Sequence, residues 1–259
     1  MTARAPFRQR LIARERLAGV FVKTPAPQVI EILGAVGFDF IVIDAEHAPF
    51  DRTSTDLAIL AARAAAIDAV VRAPSCEPWA LSAPLDDGAA GVVAPHVDSA
   101  QTARRLVSAC RYSHSRGYSN SPRGGGYGAR PLWDHVARAD AEAAVIAMIE
   151  DPQAVADIED ILAVDGIDAI LVGRADLTLA MDDRTPDSRR ANAAARDVLD
   201  AARRAGKPAC VALGTAAEAG VWLEAGATSF IISTDQALLK SAALGALETF
   251  ADLVRAAGR

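Results

Sequence analysis

Residues 39–47 read DFIVIDAEH, in which four apolar positions, Phe40 to Ile43, run straight into Asp44, Glu46 and His47. An apolar run without polar alternation predicts a parallel strand buried on both faces. The residues at its carboxyl end are of types suited to chemistry. The same layout recurs at VVR (Arg72), VVAPH (His96), VIAMIE (Glu150), ILVGRAD (Asp176) and FIISTD (Asp235). A parallel-barrel enzyme is built in this way, with inert strands inside and reactive groups at their C-terminal ends. The layout marks the chain as an enzyme.

Working outward, strands are predicted at 19–22, 40–43, 69–72, 91–94, 145–149, 169–172, 209–213 and 229–232. Helical patterns fall between them at 26–36, 54–65, 78–87, 99–110, 152–164, 188–205, 216–225 and 236–257. Pro78 and Pro152 sit where a first helical turn accepts proline, and Gly37, Gly88, Gly166, Gly206 and Gly226 follow helices as capping glycines do. Eight alternating pairs predict a single-domain (β/α)8 TIM barrel over residues 1–259, with an N-terminal helix and a long C-terminal helix. A doubly wound sheet would more often carry a glycine-rich first turn, and no GxGxxG occurs. One connection is abnormal. Residues 112–135, YSHSRGYSNSPRGGGYGARPLWDH, form a long Gly/Ser/Arg-rich loop, a length that usually signals function or disorder. Both its ends start near the N-terminal face, so it reaches a site only over the barrel or on a neighbouring subunit.

Composition narrows the partners. With 259 residues, half of them apolar, the chain can bury a large core. A net charge of −6 argues against nucleic acid or an anionic membrane as main partner. Three cysteines, Cys76, Cys110 and Cys210, form neither a disulfide framework nor a CxxC site, which suits a reducing cytoplasm. No apolar stretch approaches the roughly 20 residues of a membrane span, and the basic N-terminus is followed by no signal core.

The strand mouths carry the candidate chemistry. Glu150 and Asp176 end the fifth and sixth strands, and adjacent strands lie about 4.8 Å apart. Two carboxylates with open positions suit a hard divalent ion, Mg²⁺ or Mn²⁺; the alternative is that either caps the next helix. His47 is the best general base, with Asp44 or Asp86 as the carboxylate that would fix its tautomer. Arg72 can hold a carboxylate or an oxyanion, or can pair with Glu46 or Asp44. His96 either lines the pocket or packs beneath the loop, and His114 and His135 read as surface residues. Lys23 ends the first strand and could form a Schiff base, so a metal-free route stays open.

Taken together, GFDFIVIDAEHAPFD, VVRAPSCEPW, LDDGAAGVVAPHVDSA, AMIEDPQAVADIEDILAVDGIDAILVGRADLT and AGATSFIISTDQALL resemble the HpcH/HpaI family of metal-dependent pyruvate aldolases, over residues 6–246. The resemblance implies a barrel that makes and cleaves 4-hydroxy-2-oxo acids. It implies Glu150 and Asp176 as metal ligands (Mg²⁺, Mn²⁺ or Co²⁺), His47 as base, Asp44 as the acid of its motif, and Arg72 as the arginine facing the pyruvate enolate. It further implies Asp86 as an acid beside the histidine, and a homohexamer, a trimer of dimers, that exchanges its last helix. Contacts to the aldehyde half are expected from Trp79, Leu213, the 173–178 loop with Gly173, Arg174 and Ala175, and a neighbouring subunit. Two departures stand out. Arg174 replaces the family's usual proline, where it could clamp an acidic substrate or only pair with nearby acids. The 112–135 loop also lacks the usual YPP opening. The alternative within the same architecture is oxaloacetate decarboxylation or acyl-CoA ester lysis, the latter hinted at by Arg116, Arg123 and Arg130. A third reading, an idle barrel that only binds metal and 2-oxo acid, conflicts with base, arginine and metal ligands being present together.

Overall fold

A computed structural model describes residues 4–257. Eight parallel strands close into one barrel in chain order: β1 (Leu17–Val22), β2 (Phe40–Asp44), β3 (Asp68–Arg72), β4 (Gly91–Ala94), β5 (Ala144–Ile149), β6 (Ala169–Val172), β7 (Ala209–Leu213) and β8 (Ser229–Thr234), with β8 returning to β1. The helices are α1 (Phe7–Ile12), α2 (Pro27–Val36), α3 (Arg52–Ala64), α4 (Pro78–Asp86), α5 (Ala100–Cys110), α6 (Leu132–Glu142), α7 (Pro152–Ala156), α8 (Ile158–Leu162), α9 (Arg174–Ala180), α10 (Arg189–Arg204), α11 (Ala219–Glu224) and α12 (Asp235–Ala257). This is the expected (β/α)8 barrel with its short N-terminal and long C-terminal helices.

Alternation along the strands explains the apolar runs. Phe40 and Val42 of β2 pack inside the barrel with Val70, Val93, Ile146, Met148, Leu171 and Ile231. Ile41 and Ile43 point outward onto Ile30 and Leu33 of α2 and Ile59 of α3. A strand buried on both faces needs apolar residues at both parities. Continuing the inward parity past the apolar residues puts Lys23, Asp44, Arg72, Glu150 and Gly173 at the C-terminal mouth. The other end is plugged. Phe7 and Leu11 of α1 join the interior cluster, with the Phe7 and Phe40 rings 5.2 Å apart. Asp168 ties that end together by accepting from Arg8 (2.7 Å), Arg111 (2.8 Å) and the Val145 amide (2.9 Å).

The helix expectations need three corrections. The single helix expected over 152–164 is two, α7 and α8, broken at Asp157 (φ −97°, ψ 15°). Helices α6 and α9 were not expected. Within α6 only His135 is buried, so there is little apolar periodicity to read, and α9 is a seven-residue piece. The long connection therefore yields to helix at Leu132. His135, read as a surface residue, is buried: its ring packs on Tyr112 and Tyr118, and its Nε2 lies 3.2 Å from the Tyr112 hydroxyl. The capping glycines behave as expected, with φ of 100° at Gly37 and 103° at Gly226. Among the described residues no helix is long and apolar enough to cross a membrane.

Candidate active site

The mouth opens into a cavity of about 870 Å³ whose lining includes Phe21, Lys23, Arg72, Gly173, Arg174, Ala175, Asp176, Leu213, Asn192, Glu218 and Ser233. Its floor is an ion-pair cluster. Asp44 and Arg72 are register partners on β2 and β3, and both are buried. The Arg72 Nε donates to Asp44 Oδ1 (3.0 Å) and its Nη2 to Oδ2 (2.8 Å), a two-point fork. Lys23 Nζ lies 3.0 Å from the same carboxylate, and the amides of Glu46 and His47 donate to it. Burial opposes the charge, yet the Arg72 fork, the His47 amide and Lys23 hold the Asp44 carboxyl down at about 2. Asp44 is thus a permanent anion that orients Arg72.

That geometry corrects one expectation and bears on two others. The Asp44 carboxylate meets the backbone amide of His47, not its imidazole, because its oxygens are taken by Arg72 and Lys23. Arg72 does pair with Asp44 and also approaches Glu46 (Nη1 to Oε2, 3.3 Å), while its plane covers Phe21 at 4.9 Å. Lys23, which lines the cavity, is held as an ion pair with Asp44. His47 stands exposed at the rim, its Nε2 3.7 Å from Glu46.

Glu150 ends β5 and is buried behind Gly173. A Cβ at Gly173 would lie 2.9 Å from the Glu150 Cβ and 2.7 Å from the Met148 methyl, so only glycine leaves this space open. Burial pushes the Glu150 carboxyl above its usual range, and the neighbouring Asp176 and Glu46 carboxylates push the same way. The amide and imidazole of His96 oppose them. The His96 amide donates to Glu150 Oε1 (2.7 Å) from a left-handed conformation (φ 51°), a strained setting for a non-glycine residue. Its ring sits at the rim 3.1 Å from Asp151, which holds the imidazole toward its protonated form. His96 is therefore a rim residue and not one packed under the loop.

The mouth thus holds Glu46, Glu150, Asp151 and Asp176, and among the described residues no Lys or Arg pairs with Glu150. The buried Glu46 Oε2 makes no hydrogen bond and has only the 3.3 Å approach of Arg72 Nη1. This donor set fits a divalent cation. Among the described residues no group of three or more His, Cys, Asp or Glu side chains is preassembled around one point. The fit is that of a carboxylate pair, Glu150 and Asp176, with the other positions open to water and substrate.

Asp86 is not in this pocket. It closes α4 just before β4 begins, where Arg116 Nη2 donates to it at 2.6 Å. His47 follows β2 at the other end of the strands, so one chain does not join the two. The 112–135 segment stays with Asp86: Arg123 binds Asp56 (2.7 Å) and the Asp87 carbonyl (2.8 Å), and Arg130 binds the Gly124 carbonyl. These arginines form no phosphate groove at the mouth of their own chain. Trp79 is exposed on α4 and does not line the cavity, whereas Leu213 does. Sequence reasoning underrated Glu46, visible in the DxEH spacing, and missed Glu218 and Asn192, which only the folded chain brings to Arg174.

The comparisons with known proteins agree with this architecture. The pattern of the HpcH/HpaI aldolase/citrate lyase family matches residues 17–240. The chain is 32% identical over 242 residues to 5-keto-4-deoxy-D-glucarate aldolase of Klebsiella pneumoniae, covering 91% of this chain and 93% of that protein. It is 34% identical over 247 residues to hydroxypyruvate/pyruvate aldolase of Cupriavidus necator, covering 94% and 91%. A crystal structure of a family member from Burkholderia cenocepacia superposes with a TM-score of 0.87 at 31% identity, covering 94% of this chain and 98% of that one. The chain belongs to the HpcH/HpaI aldolase/citrate lyase family and is a carbon–carbon lyase.

Proposed function

We propose that the protein is a class II aldolase that reversibly cleaves 4-hydroxy-2-oxo acids to pyruvate and an aldehyde. The observation that carries this reading is a buried Glu150 that follows β5 and feels the Asp176 carboxylate from the first turn of α9, beside a buried, Asp44-oriented Arg72. Glu150 and Asp176 would hold the divalent cation, Mg²⁺, Mn²⁺ or Co²⁺, which when bound supplies Lewis-acid polarisation of the 2-oxo group.

The chain's own residues do the rest. His47, through a water, takes the C4 hydroxyl proton. As the C3–C4 bond breaks, its electrons pass into the C2–C3 bond of the pyruvate enolate and the C4 oxygen closes to the aldehyde carbonyl. Arg72 is clamped by Asp44 at Nε and Nη2 and shares Nη1 with Glu46, and its guanidinium offsets the charge that grows on the 2-oxo oxygen. The Phe21 ring and the Met148 sulfur pack beside it. A proton returned to C3 completes pyruvate. The rival reading, oxaloacetate decarboxylation or acyl-CoA lysis, would use the same enolate site, but the arginines that hinted at CoA lie elsewhere on this chain.

We further propose that the chain assembles with copies of itself through α12, whose Leu239, Leu244, Leu247, Phe250 and Leu253 are exposed. Three free thiols suit a cytoplasmic setting. The decisive assay strips the protein with a chelator and follows pyruvate release from 4-hydroxy-2-oxo acids as each metal is restored. Metal-restored release supports the reading. Silence with every metal points to the rival substrates, and release that survives chelation contradicts the cation's role.

A further inference from the structure

The cavity carries a second guanidinium. Arg174 begins α9 and reaches across to β7 and the segments after it: Nε donates to the Ala212 carbonyl (3.3 Å), Nη1 to Asn192 Oδ1 (3.4 Å) and Nη2 to Glu218 Oε2 (2.5 Å). Its plane stacks on the buried Trp222 ring at 4.7 Å, with Arg196 at 5.3 Å from the same ring. The side chain is only 19% exposed. Four contacts therefore fix where it points, and the placement is built and not that of a wandering surface arginine.

A guanidinium has five N–H donors, and the protein uses three of them. The remaining two belong to a group that lines the same cavity as Arg72 and Asp176. Asn192, Ser188 and Ser233 line the same cavity, so its polarity suits an oxygen-rich ligand. The two cations face a substrate with different duties. Arg72 lies among the groups assigned to the pyruvate half, while Arg174 lies against β7 at the Ala212 carbonyl, where the other half would extend.

We propose that Arg174 is a specificity-determining residue that reads a carboxylate on the aldehyde half, with Glu218 as the internal carboxylate that such a substrate displaces or shares. This rests on the aldolase reading. It selects carboxylated aldehydes over neutral ones of the same length. Glu218 is then a brake on that selectivity, because its charge already occupies one edge of the fork.

The two residues give opposite signs, which makes the inference testable. The assay is metal-loaded aldol addition of pyruvate to matched aldehydes: glyoxylate against glycolaldehyde, and succinic semialdehyde against butanal. Wild type should prefer the carboxylated member of at least one pair. Arg174→Met keeps an apolar stem over Trp222 and should lower the kcat/KM ratio of carboxylated to neutral aldehyde by roughly tenfold to a hundredfold, the range for losing a hydrogen bond to a charged group. Arg174→Lys should fall between the two. Glu218→Gln should raise the ratio, mainly through KM; glutamine still serves the capping box that Glu218 makes with Thr215, so the turn is kept. No preference in wild type, an unmoved ratio in Arg174→Met, or a shift of the same sign in both variants overturns the assignment. Pyruvate methyl-proton exchange, which needs no aldehyde, is run on the same samples. Exchange without the expected ratios rejects Arg174 alone, whereas absence of both exchange and addition rejects the aldolase reading and the inference with it.

Discussion

Asp44 is the residue on which the site's electrostatics turn. Its carboxyl is held at about 2, below the ordinary 3.8, by Arg72, the His47 amide and Lys23 against the penalty of burial. A depressed carboxylate contributes stability that is fully present above about pH 4 and is lost as the pH falls toward 2. We predict that Asp44→Asn destabilises the protein at neutral pH by about 3 kcal/mol or more, because Arg72 is left buried without its counter-charge. The variant should also lack part of the wild-type loss of stability in acid, measured by denaturant unfolding between pH 7 and pH 3. Parallel acid slopes for the two proteins would reject this account. Asp44, Arg72 and Glu150 were legible in the sequence because strand parity alone puts them at the inward end of an apolar run. The partners of Asp44 were not. A carboxylate three residues before a histidine can meet its ring or its amide, and here two cations took the oxygens first. Asp86 lies at the other end of the strands from His47 within one chain, so the expected acid beside the histidine is not met by this chain alone.

Among the elements, the strands were read to within two residues at each end, since a two-sided burial pattern needs a continuous apolar run. The helices were read less well. α9 is short, and α6 shows the core little beyond His135, so neither carries a 3.6-residue apolar stripe. The converse holds for α12, whose 23 residues carry more apolar surface than the barrel covers. Leu247, Phe250 and Val254 recur at three- and four-residue spacing on an exposed face. Patches of this kind mark an interaction surface. Replacing Leu247 and Phe250 together by Asp is expected to lower the oligomeric state seen by sedimentation without unfolding the barrel, because neither side chain joins its core. An unchanged sedimentation profile would remove α12 from the interface.

For the whole molecule, the barrel divides stability from chemistry. α1 and the Asp168 ion pairs close the end where the strands enter, and nearly every charged inward position lies at the end where they leave. The mouth concentrates acids around Glu150 and cations around Asp44, an arrangement that suits a 2-oxo acid bound between a metal and Arg72. Its central claim is that this mouth forms pyruvate enolate. The direct measurement is exchange of pyruvate methyl protons in D₂O by NMR, using chelator-stripped protein, protein with a divalent metal restored, and Arg72→Ala with the same metal. The account predicts exchange that needs the metal and falls by at least about a hundredfold without Arg72. Exchange that persists after chelation, or that Arg72→Ala leaves at the wild-type rate, would contradict it.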